Sequence, residues 1–191
     1  MVTALKTSIN ILLVFLFAAC TSVPDERMTP YVDFPETREL TARTLSLDSA
    51  LFRYPYRVRV QDDKAVVLDL HGTEYFFHAF HYPGFHYLSS FGKRGDAPEE
   101  MLSAENLRWN GNFLWTLDSN KSELTRLGFA SSGDSLLRLE AVSLDEELLR
   151  ALDFVQYDDS TFIIPDYSGD SRFCLVSRQG KLLHKIGTIP T

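Results

Sequence analysis

The sequence predicts an all-β protein: a β-propeller of four-stranded antiparallel blades, with about three blades in a chain of 191 residues. Three observations predict it. From about Thr41 onward the chain is a succession of short apolar runs rich in Val, Ile, Phe, Tyr and Leu. Each is bounded by Asp, Asn, Gly or Ser, the punctuation of strands and turns. The runs also recur. VVLDL (66–70), FLWTLD (113–118) and FIIPD (162–166) each carry an aspartate at their close, and Asp69, Asp118 and Asp166 lie 49 and 48 residues apart. Finally, each run has a strand-like segment before it (RVRVQDD, NLRWNGN, DFVQYDD) and another after it (YFFHAFHY, ELTRLGF, SRFCLVS). Two units then finish alike, on HYLSSFG and LLHKIG. A propeller blade is a unit of four strands, with repeats typically of about 40 to 50 residues. A sandwich with regular strand spacing is the alternative; the aspartate at a fixed place in each unit favours the propeller.

The elements follow in order. Residues 1–19 read as a lipoprotein signal peptide, with Lys6 as its positive region and an unbroken apolar run from Ile11 to Ala19. A spanning helix needs about 20 such residues, so this run is too short to remain as an anchor. It ends FAAC. Small Ala18 and Ala19 before Cys20 resemble the lipobox at which a bacterial lipoprotein is cleaved and its cysteine lipidated, with Phe17 where leucine is usual. An ordinary secretory signal, with Cys20 incidental, is the alternative. Residues 20–40 contain Pro24, Pro30, Pro35 and several acids without a clean period, which predicts a solvated tether. Residues 41–191 form the partial propeller, with blades at about 55–98, 104–142 and 151–190. Two segments disturb the pattern. Ser143-Leu-Asp-Glu146 resembles a capping box, and Leu144, Leu148, Leu149 and Leu152 follow at helical spacing, so a short helical turn is expected between the second and third blades. Pro165 donates no hydrogen bond and is expected at the end or a bulge of its strand.

Charge and cysteine content exclude some functions. The formal net charge is −7, and removal of Lys6 with the signal takes it to −8. An acidic chain without a basic cluster is poorly suited to nucleic acid, whose phosphates are neutralised by Lys and Arg. Once Cys20 is given to lipid the mature chain holds one cysteine, Cys174. Its strand-like surroundings, RFCLVS, predict burial.

The segment FGKRGDAPEEM (91–101) closes the first unit. Its glycines permit sharp turns, and Pro98 before two glutamates is placed to start a single turn. It is similar to the phrase FGrxGxGPgEF of the TolB-like six-bladed propeller lipoproteins of Bacteroidetes. Phe91, Gly92, Arg94, Gly95, Pro98 and Glu100 match, Ala97 and Glu99 stand for two glycines, and Met101 stands for the phenylalanine. YPYRVRVQDDKAVVLDL and SRFCLVSRQGKLLHKIGTIP resemble further phrases of that family. The resemblance implies a lipid-anchored envelope protein, on the periplasmic or outer-membrane side, with a six-bladed propeller and no established catalytic residues. Three units stand where the family has six, so the chain resembles its N-terminal half. Self-association of that half-propeller is therefore expected, with Phe162, Ile164, Phe173 and Leu175 of the third blade partly facing solvent.

The remaining motifs carry weak chemistry. Arg94-Gly95-Asp96 spells an adhesion tripeptide but falls inside the family phrase. A phosphate loop would need GxxxxGK[ST], which is absent here. His71, His78, His81 and His86 crowd sixteen residues, yet His78 and His81 point to opposite faces of one strand, so no metal site is expected. DSNKSE (118–123) and DYSGDS (166–171) have turn carboxylates without the EF-hand spacing. Paired acids such as Glu99-Glu100 and Asp158-Asp159 read as solvated loop charges. The sequence thus points to no catalytic residue, cofactor or metal. It favours a binding or scaffold module that holds a protein or glycan at a propeller face. A glycan-processing enzyme on the same scaffold, or a truncated gene product without its own task, are the alternatives.

Overall fold

In the computed structural model, the described residues are 36–45, 47, 52–148, 150–167 and 171–189. Cys20, the signal segment and the first part of the tether lie outside them. The chain divides into two units at Arg43/Thr44. Of the first, residues 36–43 are exposed and without secondary structure, and Arg38 pairs with Glu36 at 2.6 Å.

The second unit carries twelve strands among its described residues, in three four-stranded antiparallel sheets. The first blade is β1 (Pro55–Gln61), β2 (Lys64–Asp69), β3 (Tyr75–His81) and β4 (His86–Lys93). The second is β5 (Asn106–Asn110), β6 (Phe113–Asp118), β7 (Glu123–Phe129) and β8 (Leu136–Ser143). The third is β9 (Val155–Gln156), β10 (Thr161–Pro165), β11 (Ser171–Ser177) and β12 (Leu182–Thr188). Strand order within each sheet follows chain order. This is the all-β, partial-propeller architecture that the repeat predicted. Pro165 is the last residue of β10, where its missing N–H costs no central ladder bond.

Alternation along the strands decides which residues sit between blades. One face of the first blade, with Val66, Leu68, Phe77 and Phe91, packs on Leu107, Leu114 and Leu127 of the second. The second blade's other face, with Trp115, Leu117, Leu124 and Val142, packs on Phe154, Phe162, Ile164, Cys174 and Val176 of the third. Trp115 and Phe162 meet edge to face with centroids 5.0 Å apart. Polar contacts lock the same seams. Gln61 Nε2 donates to the Gly111 carbonyl (2.9 Å) across the first seam. Across the second, Glu140 accepts from Arg178 (2.6 Å) and also pairs with Arg126 of its own sheet (2.9 Å).

Two expectations change. Phe162 and Ile164 are buried, at 0% and 1% exposure, because they share a face with Cys174 and Val176. The solvent face of the third blade instead carries Phe173 and Leu175, together with Val155 and Ile186. In the first blade, the face turned away from the second is partly covered. Leu47, Phe52 and Phe85 pack on Ala65, Val67 and Phe80. The second change is at Ser143–Leu152: the expected turn is present as a single turn, with no helix among the described residues, and Ser143 does not cap it; Leu149 lies outside the described residues. Ser143 is the last residue of β8, and a single turn follows, in which Leu148 N–H donates to the Asp145 carbonyl (2.9 Å). Asp145 does the capping through Glu147 N–H (3.1 Å), and its own N–H donates to the Gly180 carbonyl (2.8 Å). The segment's hydrogen bonds go to the β11–β12 turn, and Leu144 and Leu148 fill the core between blades. The leucine spacing served packing, not a helix.

Candidate functional site

The matched loop is a structural connector. Phe91 stacks on Phe77 at 5.0 Å. Gly92, within β4, has φ of +65°, and a Cβ there would lie 2.7 Å from the Phe77 ring. Its counterpart Gly187 in β12 has φ of +71°, so the two matching unit ends share a backbone conformation. Between them, the loop 93–101 closes on itself: Gly95 N–H reaches the Met101 carbonyl (2.9 Å) and Met101 N–H reaches that of Lys93 (2.8 Å). Pro98 heads a tight turn, with Glu100 N–H donating to the Ala97 carbonyl (2.9 Å). Glu100 pairs with Lys93 (2.7 Å) and accepts from Ala97 N–H (3.3 Å). The lysine bond holds its carboxyl below the ordinary range. Second-blade side chains then grip the loop: Lys121 Nζ donates to the carbonyls of Ala97 (2.7 Å) and Glu100 (2.6 Å), and Arg138 to that of Pro98 (2.6 Å). Arg94 lies over the Phe76 ring, 5.2 Å from its centroid. The tripeptide's arginine is thus held down by this frame.

The repeated aspartates are structural in the same sense. Asp69 is fully buried and accepts from the backbone N–H groups of Arg53 (2.8 Å) and Tyr54 (2.6 Å). Asp118, 1% exposed, accepts from Leu102 N–H (2.7 Å) and the Ser103 hydroxyl (2.9 Å). The partners stand 16 and 15 residues upstream in both cases. Each carboxylate ties the lead-in of its blade to the end of the blade's second strand. Asp166 accepts from the Ser171 hydroxyl (3.1 Å).

The four histidines do not converge on one point, although His81 and His86 stand opposite each other across β3 and β4. His78 is buried and bonds Ser90 Oγ through Nδ1 (2.8 Å), and burial pushes its pKa down despite the nearby Asp69 charge. His81 faces Asp63 at 3.4 Å on the exposed end of β3, and His71 packs on the Tyr54 ring. Among the described residues no group of three His, Cys, Asp or Glu side chains is placed to hold a metal.

The feature that sequence reasoning missed is a cavity of about 660 Å³ where the ends of the innermost strands β1, β5 and β9 meet. Arg59, Arg108, Trp109, Gln156 and Tyr157 line it. On β1 alternation turns Arg57 and Arg59 to the same side as Gln61, towards the second blade, and β5 supplies Arg108 from the facing strand. Arg108 is neutralised by Asp153 through paired bonds of 2.9 Å, and Asn106 Nδ2 also donates to that carboxylate. These bonds outweigh burial and hold the Asp153 carboxyl low. Arg59 has no carboxylate partner among the described residues. Its pKa is lowered by burial and by the neighbouring Arg57 and Arg108 charges. Trp109 Nε1 and Gln156 Oε1, a donor and an acceptor on the wall, are shielded from solvent and make no hydrogen bond. Of the two acids on the rim, Asp158 is consumed by its own turn. Its Oδ1 accepts from Ser160 N–H, Ser160 Oγ and Thr161 Oγ1, each at 2.8 Å, and these bonds lower its pKa. No local motif could have flagged the cavity, because its residues come from three strands spread over a hundred positions.

Comparison with known proteins agrees with the architecture. No curated protein matches the chain. Two solved structures from Bacteroides fragilis NCTC 9343 share the fold. One, assigned as an exported protein, superposes with a TM-score of 0.61 at 14% identity over 80% of this chain and 43% of its own. The other, assigned as a 6-phosphogluconolactonase, gives 0.51 at 11% identity over 70% of this chain and 40% of its own. The chain therefore spans less than half the length of either, and at these identities only the fold is shared. The sequence profile of the TolB-like 6-blade propeller-like family matches residues 33–191, and the chain belongs to that family.

Proposed function

We propose that the chain is a cell-envelope lipoprotein, anchored through acyl groups on Cys20, whose propeller binds a glycan or protein partner in the cavity where β1, β5 and β9 meet. The observation that carries the reading is the chemistry of that cavity. It offers an arginine that forms no ion pair among the described residues, beside aromatic walls at Trp109 and Tyr157. Pockets with aromatic surface and a few convergent polar groups are the usual form of a ligand site. The anchor rests on FAAC at the end of a nine-residue apolar core. What favours binding over catalysis is how the nearby carboxylates are used: Asp153 is engaged by Arg108 and Asn106, and Asp158 by the hydrogen bonds of its own turn.

A glycan array probed with the purified chain tests the reading. Retained glycans should be lost with Arg59→Gln and Tyr157→Ala, and retention unaffected by both changes would refute the site. Labelling cells with radioactive palmitate tests the anchor; equal label in wild type and Cys20→Ser would refute it.

A further inference from the structure

We propose that a second hollow, between Arg53, His71, Thr73 and Arg94, binds an oxyanion of the phosphate or sulfate type. It lies at the other end of the first blade from the inner-strand cavity, and the proposal does not depend on that cavity's role. β1 begins at Pro55 beside this hollow and reaches Arg59–Gln61 at the cavity, a path of roughly 20 Å at strand rise.

Three stretches distant in sequence converge there. Arg53 stands in the lead-in to β1, His71 to Thr73 in the β2–β3 turn, and Arg94 just past β4. They border about 540 Å³, and among the described residues the lining contains no carboxylate. In a chain of net charge −7, two arginines and a histidine line one hollow that has no acid in its described lining.

The arginines are unspent and one is fixed in place. Neither Arg53 nor Arg94 forms an ion pair among the described residues. Arg94 rests on the Phe76 ring and gives one N–H to the Gly72 carbonyl at 3.3 Å, leaving most of its planar fork for a ligand. Two of the nearby acids are committed elsewhere, while Glu74 and Asp96 stand exposed in the same loops. The Asp69 carboxylate takes the backbone N–H groups of Arg53 and Tyr54, and Glu100 pairs with Lys93. The turn that brings His71 and Thr73 to the rim is tight, because a Cβ on the buried Gly72 would strike the Tyr75 carbonyl. A tetrahedral oxyanion suits this set: a guanidinium fork, a second guanidinium, an imidazole N–H and a hydroxyl.

The same chemistry is offered by a phospholipid headgroup and by a soluble phosphate or sulfate ester, so the experiment has two arms. In the first, inorganic phosphate and sulfate are titrated into the purified chain by calorimetry at low ionic strength, with chloride as the control. In the second, flotation compares vesicles of phosphatidylcholine with vesicles that also contain phosphatidylglycerol. Arg53→Gln and Arg94→Gln should each weaken binding about tenfold, the loss of one charge-assisted contact. The double variant should abolish it, and Arg172→Gln, on the third blade, should leave it unchanged. Arg94→Lys keeps the charge but not the fork and should fall between. Thermal melting of each variant separates lost binding from lost fold. Binding of phosphate or sulfate above chloride, removed by the double change, supports the site with a soluble ligand. Binding confined to the anionic vesicles, removed the same way, supports it with a headgroup. The proposal is overturned if neither probe binds, or if binding survives in the folded double variant.

Discussion

Asp118 offers the sharpest test of how the blades hold together. Its carboxylate is 1% exposed and accepts from Leu102 N–H (2.7 Å), the Ser103 hydroxyl (2.9 Å), Asn120 N–H (3.0 Å) and Lys121 N–H (3.0 Å). Asp118→Ala strands all four donors. Each lost bond costs about 1 kcal/mol net, and more where the donor stays dry. Asn120 lies in an exposed turn and recovers water, whereas Ser103 sits under the lead-in of the second blade. A loss of about 3 kcal/mol follows, a large share of a domain stability of about 5–15 kcal/mol. Asp118→Asn keeps one acceptor but turns an amide N–H towards Leu102 N–H, so about half that loss is expected. Urea unfolding followed by tryptophan fluorescence measures both, since Trp115 lies on the same blade. Asp158→Ala is the control: that carboxylate also accepts three hydrogen bonds, but in an exposed turn that water can serve. If Asp118→Ala moves the urea midpoint no further than Asp158→Ala does, the repeated aspartate is not a blade clamp.

Further outcomes can be checked alongside it. Gly92→Ala should cost about 2 kcal/mol in urea unfolding, because a left-handed residue with a Cβ is strained by about 1–2 kcal/mol and this Cβ also meets the Phe77 ring. Cys174, 1% exposed, should resist a thiol reagent in native buffer and react once urea unfolds the chain; fast native modification would contradict its burial. His78 has a folded pKa below its unfolded one, so the unfolded state binds the extra proton and stability should fall as pH drops below about 6.5. His78→Gln should flatten that slope, and an equal slope in both proteins would count against it. The purified chain should self-associate through the third blade's solvent face, where Val155, Phe173 and Ile186 are each at least 40% exposed. Light scattering across a concentration series should show rising mass, which Phe173→Lys reduces; a monomer throughout would refute this.

The repeat was legible because it is written in residues that the backbone requires. A buried carboxylate at the end of each second strand secures the lead-in to its blade, so Asp69 and Asp118 recur with partners at the same offsets. Gly92 and Gly187 recur because both unit ends turn through a left-handed residue. Alternation gave correct pairs of faces, separating His78 from His81. It could not tell which face meets a neighbour: Phe162 and Ile164 alternate as cleanly as Phe173 and Leu175, but only the first pair looks onto Trp115. The turn near Leu144 and Leu148 was legible but its cap was not, since spacing records that two residues share a side and not what holds the backbone. Where each side chain is fixed by its own strand, sequence suffices; where function needs three strand ends to converge, it does not. Arg59, Trp109 and Tyr157 belong to different blades and meet only because the inner strands approach one another. Arg53 and Arg94 meet because one blade's lead-in and exit lie at the same end of its sheet. Arg94 was legible as part of a phrase, but its place in a hollow was not, because only the fold sets Arg53 beside it.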